Sequence, residues 1–245
     1  VEADAWSNSA KQKIEAAVEA VMEIIQSGVP VARIELLDQL QMQASIAWSG
    51  LEGFAPRPTL FFEFHGTAGA VEEQSVTAQT ICRQHDGTDF TWATRPEDRN
   101  RLWQARHDAY LAARALRPGK AGWATDVCVP ISQLAMAVVA AQRDLAQSGL
   151  TAPIVGHVGD GNFHLQFIVD PDDPAEMRRA AEVNERLVAR AIAVGGTCTG
   201  EHGVGYGKIA SLRAEHGPAV EVMRTIKRAL DPQDIMNPGK IVTPI

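Results

Sequence analysis

Three of the seven histidines fall in two short glycine-rich segments, Gly156-His157-Val158-Gly159-Asp160-Gly161-Asn162-Phe163-His164 and Gly200-Glu201-His202-Gly203-Val204-Gly205. Imidazole and carboxylate bind divalent ions, and glycine lets backbone pass close to a ligand, so these residue types point to a catalytic metal site. Asp160-Gly161 is a strong signal for a two-residue type I′ hairpin turn. Such a turn pairs Gly159 with Asn162, Val158 with Phe163 and His157 with His164. Residues directly opposed on one face have Cβ atoms about 5 Å apart, near enough for two imidazoles to share an ion. Glu201 supplies a third ligand, giving a two-histidine, one-carboxylate set that leaves positions for substrate or water. Adjacent residues rarely both face one ion, so His202 is left for proton transfer, which a group titrating near neutrality suits. Taken singly, each histidine reads as a satisfied polar residue near a turn. The metal reading rests on their convergence.

The elements that must hold these residues follow from periodicity. Ile14, Ala17, Val18, Val21, Met22 and Ile25 make an amphipathic helix from about Ala10 to Ser27, stopped by Gly28 and Pro30. Val31 to Leu36 reads as a strand, Asp38 caps a helix to about Trp48, and Thr59 to Phe64 is an apolar-aromatic strand. A helix from about Ala70 to His85, a strand Asp89 to Ala93 and a helix Pro96 to Leu116 follow. After Pro118-Gly119 the pattern restarts: strand Trp123 to Val129, helix Ile131 to Gln147, hairpin Ile154 to Val169, helix Pro174 to Val194. Two β-α-β arrangements of this kind predict an α+β fold with antiparallel sheets and packed helices. Its two ferredoxin-like halves span roughly 10–117 and 118–209, with a helical C-terminal tail over 210–245.

Composition excludes several classes. The formal charge of −7 and pI near 5.5 argue against nucleic-acid binding, which needs a basic face. No apolar run approaches the roughly 20 residues of a membrane helix. Val1-Glu2-Ala3-Asp4 is acidic and apolar rather than basic, so no secretory signal is expected. Three widely spaced cysteines, Cys82, Cys128 and Cys198, suit free thiols in a reducing compartment. The first residue is Val rather than Met, which suits part of a longer protein.

Four motifs then carry a resemblance: Trp123-Ala124-Thr125-Asp126-Val127-Cys128-Val129-Pro130, Gly156 to His164, Thr197 to Gly203, and Leu230-Asp231-Pro232-Gln233-Asp234-Ile235-Met236-Asn237-Pro238-Gly239-Lys240. Together they resemble the C-terminal half of FAD-linked 2-hydroxy-acid dehydrogenases, a family that includes flavin-type D-lactate dehydrogenase, glycolate oxidase flavin subunit and D-2-hydroxyglutarate dehydrogenase. The resemblance implies an N-terminal FAD-binding domain outside this sequence. The present chain would be the substrate and cap domain over 1–209, with 210–245 contacting the flavin domain. No glycine-rich nucleotide-binding segment follows a strand, in keeping with that view, so the chain alone is expected neither to hold FAD tightly nor to turn over.

By the same resemblance, His157, His164 and Glu201 match ligands of a divalent metal (Zn, Mn or Fe), and His202 matches the base. Arg106 falls where a guanidinium grips the substrate carboxylate, a task its planar fork suits. Tyr110 and Gln166 match positions near the substrate, and Asn237 lies in a tail motif near the flavin. Ala124 replaces a lysine that relatives acting on D-2-hydroxyglutarate place on the distal carboxylate. That favours D-lactate or another small or apolar D-2-hydroxy acid. The implied partners are this acid, the FAD-binding domain and an electron acceptor (cytochrome, quinone or electron-transfer flavoprotein). A homodimer is among the assemblies allowed, and the expected location is cytoplasmic, peripheral at the inner membrane, or mitochondrial. Two other readings use the same residues: a metal-dependent hydrolase active without flavin, and a metal-binding module with no catalysis.

Overall fold

The computed structural model describes residues 9–93 and 95–242. Val1 to Asp4, which bear on the secretory signal, lie outside the described residues, as do the last three residues of the tail. Helix α1 (Ser9–Gln26) leads into strand β1 (Val31–Leu37), with Gly28 in the left-handed region at φ 73°. The Asp38 carboxylate accepts the Gln41 N–H at 2.7 Å, capping α2 (Gln39–Ser49) as predicted. Then come β2 (Thr59–Phe64), α3 (Ala68–Gln84), α4 (Pro96–His107), α5 (Ala109–Ala115), β3 (Ala121–Ala124) and β4 (Val127–Cys128). Helix α6 (Leu134–Ser148), strands β5 (Ile154–Gly156) and β6 (Asn162–Val169), and helices α7 (Pro174–Ala193), α8 (Ile209–His216) and α9 (Ala219–Leu230) complete the order.

The strands form one antiparallel sheet in the order β2-β1-β5-β6-β3, with β4 also on β6. The second half runs β4-α6-β5-β6-α7 and is closed by a bridge from Cys128 to Thr197, a ferredoxin-like succession. The first half contributes β1 and β2, and the halves join edge to edge where Leu36 and Leu37 face Gly156 and Val155. The predicted strand Asp89 to Ala93 is absent, and Asp89 sits at φ 58°, outside the strand region. The predicted helix Pro96 to Leu116 is broken at Asp108, where ψ is 2°.

Strand alternation sorts residues between two faces. Ile34 and Leu36 of β1, Ile154 of β5, and Phe163, Leu165, Phe167 and Val169 of β6 pack under α3, α1, α6 and α7 in the main core. The intervening residues point to the opposite face. There Leu37 and Val155 pack with Met42, Phe61 and Ala109. Glu35, His164 and Gln166 share this second face, and the site is built on it.

Candidate active site

The hairpin does not turn as its sequence suggests. Val155 pairs with His164 and Ile154 with Leu165, a register two residues away from that of a turn at Asp160-Gly161. The connection is instead a five-residue loop, His157 to Gly161, containing a 3-10 turn over Val158–Asp160. The Asp160 and Gly161 N–H groups donate back to the carbonyls of His157 and Val158, so only Gly161 takes a positive φ, 78°. The Val129 N–H donates to the Gly161 carbonyl at 3.0 Å, and a Cβ on Gly161 would overlap the Val129 carbonyl. This long-range packing replaces the local turn preference.

His157 and His164 nevertheless meet, with ring centroids 6.2 Å apart and planes at 89°. Glu35, 1% exposed in the middle of β1, does much of this: its Oε1 accepts the His157 Nδ1–H at 2.6 Å. His164 Nδ1 lies 2.8 Å from the Thr125 carbonyl. Carboxylate and carbonyl oxygens can only accept, so both imidazoles carry the Nδ1 proton and, when neutral, an Nε2 lone pair. Those lone pairs converge on Glu201: His157 Nε2 is 3.6 Å from Oε2, and His164 Nε2 is 3.0 Å from Oε1. The three ligand atoms lie within 4.8 Å of one another. The His157 pKa is raised by its hydrogen bond to Glu35, against burial, which lowers it. Burial dominates at His164 and lowers its pKa, favouring the neutral ring.

Glu201 and His202 lie in a stretch without regular structure. Their position comes from Asp126, 1% exposed, which interrupts the predicted strand Trp123 to Val129. The strand breaks because the Thr125 hydroxyl accepts the Leu165 N–H at 2.9 Å while Asp126 turns toward the loop. The Asp126 carboxylate accepts from the backbone N–H of Glu201 at 3.1 Å and of His202 at 3.0 Å. It also accepts from the Thr199 hydroxyl at 2.8 Å and Asn162 Nδ2 at 2.8 Å, with Lys208 Nζ 3.3 Å away. Burial raises the Asp126 pKa, but these donors outweigh it and hold the group well below the usual carboxylate range. Asp126, His164 and His202 form a second cluster of ligand type. The carboxylate there is already taken up by donors, which leaves the His157–His164–Glu201 set as the open one. Gly200 must lack a Cβ, which would overlap Asn162 Nδ2. His202 stacks on His164 at 4.9 Å between centroids and 7° between planes.

A cleft of about 250 Å³ opens beside these groups, and Arg106, Tyr110, Ala124, Gln166, His157, His164, Glu201 and His202 all line it. Arg106 Nε donates to Glu35 Oε2 at 2.9 Å, so its Nη groups remain directed elsewhere than Glu35. Tyr110 stands beyond the helix break and gives its hydroxyl hydrogen to the Gly122 carbonyl at 3.1 Å. Gln166 is buried, and its Oε1 has no partner among the described residues. Asn237 does not line the cleft. It lies at φ 49° in the exposed turn after α9, holding Lys240 Nζ at 3.1 Å. Glu35 and the role of Asp126 were missed in the sequence. A lone glutamate among the apolar residues of Val31–Leu37 was the available signal, since a charge in a buried strand needs partners.

The described residues contain no helix long and apolar enough to cross a membrane. Residues 6–241 match the family described as FAD linked oxidases, C-terminal domain. A Danio rerio protein named probable D-lactate dehydrogenase, mitochondrial, is 50% identical over 94% of this chain and 46% of its own length. D-lactate dehydrogenase [cytochrome], mitochondrial, from Arabidopsis thaliana is 42% identical over 93% of the chain and 40% of its own. Glycolate oxidase subunit GlcD of Bacillus subtilis is 33% identical over 94% and 49%. The chain thus spans about half the length of the curated relatives it matches. Among solved structures, p-cresol methylhydroxylase with substrate bound shares the fold at a TM-score of 0.65 and 14% identity, over 97% of this chain and 51% of that one. With the family's match running through nearly every residue that builds the cleft, this chain belongs to the C-terminal domain family of FAD-linked oxidases.

Proposed function

We propose that this chain forms the substrate-binding and proton-accepting wall of an FAD-dependent dehydrogenase that oxidises a small D-2-hydroxy acid of the D-lactate type. The observation that carries the reading is the meeting of two imidazole Nε2 atoms and one carboxylate, with their ligand atoms within 4.8 Å of one another. Three acceptors facing one point fit a cation, and each imidazole's far nitrogen is held by an oxygen, as metal-bound histidines usually are. His157, His164 and Glu201 would hold the ion. When bound, it would act as a Lewis acid on the substrate hydroxyl. A flavin on the facing domain would supply the two-electron acceptor that side chains lack.

His202, exposed at the cleft and stacked on His164, accepts the hydroxyl proton. Arg106 offers its Nη groups to the substrate carboxylate, with Glu35 fixing the guanidinium from behind. Gln166 Oε1 is a free acceptor in the cleft wall, and Tyr110, tied to Gly122, shapes the opposite side. Ala124 places no charge on the wall, which suits a monocarboxylate.

The face of α9 and the tail exposing Val222, Ile226, Leu230, Ile235 and Met236 serves as the seat of the N-terminal FAD-binding domain, bringing Asn237 toward the flavin. Relatives about twice as long support that partner, and the names D-lactate dehydrogenase, cytochrome and mitochondrial support the substrate, acceptor and location. In the full-length protein, His202→Ala should slow flavin reduction by D-lactate about 10²–10⁴-fold with metal content unchanged. Near-wild-type reduction in that variant overturns the assignment.

A further inference from the structure

Glu35 is a buried carboxylate that touches both Arg106 and His157 of the cleft. It stands on β1, in the first half of the molecule, whereas His157 follows β5 in the second. Its Oε1 takes the His157 Nδ1–H at 2.6 Å and its Oε2 takes the Arg106 Nε–H at 2.9 Å. Side-chain exposure is 1% for Glu35, 14% for Arg106 and 37% for His157, so the Arg106 contact is sheltered from bulk water and the His157 contact is sheltered on its carboxylate side.

We infer that Glu35 is a positioning residue that sets the tautomer of His157 and locks the metal-ligand face to the substrate-carboxylate grip. The inference rests on the reading of His157 as a ligand given above, but its first consequence concerns His157 and Arg106 alone. Both partners of Glu35 are donors. Arginine has no acceptor and cannot change roles, whereas a neutral imidazole can move its proton from Nδ1 to Nε2. Two carboxylate oxygens satisfy two donors at once. An amide of the same shape has one oxygen and one NH₂, so it can satisfy only one.

The Glu35→Gln variant therefore forces a choice. Its oxygen goes to Arg106, which has no alternative. Its NH₂ then faces His157 Nδ1, which becomes an acceptor. The proton moves to Nε2, the atom aimed at Glu201, and the lone pair that would hold an ion is gone. Removing the guanidinium should reverse this. In Glu35→Gln/Arg106→Met the amide oxygen is free to accept the Nδ1–H, and the native tautomer returns. A purely structural role for Glu35 predicts the opposite, since the double variant would be the more damaged of the two.

The test uses the full-length protein and two readouts, taken at a pH above the titration of the imidazoles. Nitrogen-15 NMR of the histidine rings reports which nitrogen of His157 carries the proton. Titration with Mn²⁺ reports affinity without any flavin chemistry. Glu35→Gln should move the His157 proton to Nε2 and weaken Mn²⁺ about 10–100-fold, the usual loss when a ligand's outer partner is removed. The double variant should restore the Nδ1–H form and most of the affinity. Glu35→Asp, with two acceptors on a shorter arm, should keep the tautomer. Wild-type tautomer in Glu35→Gln, or no recovery in the double variant, overturns the inference. If the wild type binds no Mn²⁺ but the tautomer moves as described, the positioning role stands and the metal reading of the site falls instead.

Discussion

His164 and Gln166 stand on β6, a strand whose eight residues are all buried, while Glu201 and His202 stand on a stretch with no regular structure. The first pair is aimed by register. Phe163, Leu165 and Phe167 fill the helix-covered core, so the residues between them must face the cleft. The second pair is aimed by one carboxylate, whose oxygens collect the N–H groups of Glu201 and His202 and the hydroxyl of Thr199. One side of the site is thus a consequence of the fold, and the other is an attachment to it. The strand side is held by the core, and the tethered side depends on the Asp126 carboxylate for its position.

The comparison breaks most severely from the strand side. Phe167→Ala removes a fully buried ring of the main core and should cost about 3–5 kcal/mol of global stability, read from the midpoint of urea unfolding. Amides on both sides of the site should lose protection together. If only the Gly200 to Gly207 stretch loosens, the strand is not the common support described here.

A smaller and more local effect is expected at Asp126. Asp126→Ala strands the buried Asn162 amide and several part-buried donors, which costs about 1–3 kcal/mol overall, while hydrogen exchange at Glu201 and His202 rises and β6 stays protected. This contribution depends on pH with a definite sign. The folded-state pKa lies below the ordinary 3.8, so the unfolded chain binds the proton more readily. The stabilisation is complete above 3.8 and is lost as pH falls below it. The difference between wild type and Asp126→Ala should therefore narrow between neutral pH and about pH 3, a gap that urea titrations at the two values measure directly. A constant difference means that the carboxylate charge is not what holds the loop.

The same contrast explains what the sequence could show. The Asp38 cap and the strand Thr59–Phe64 appear where local pattern puts them, because their signals are carried by neighbours in the chain. The His157–His164–Glu201 group also comes together as anticipated, although by another route. Asp160-Gly161 predicted a tight turn, and packing on Val129 substituted a five-residue loop. Glu35 then supplied the aim that the lost register no longer could. Asp126 and Glu35 were silent because their partners lie between 36 and 122 positions away in the chain, beyond any periodicity or spacing. The strand expected at Asp89 to Ala93 failed for a similar reason: no described strand accepts it as a neighbour.

The central claim is that His157, His164 and Glu201 hold one divalent ion on which D-2-hydroxy-acid oxidation depends. The most direct measurement is stopped-flow flavin reduction by D-lactate in full-length protein stripped with chelator and then titrated with Mn²⁺ or Zn²⁺, beside His164→Ala. The account predicts that reduction appears in step with one ion bound per chain, and that His164→Ala gains neither ion nor rate. Full-rate flavin reduction by the metal-free protein would contradict it.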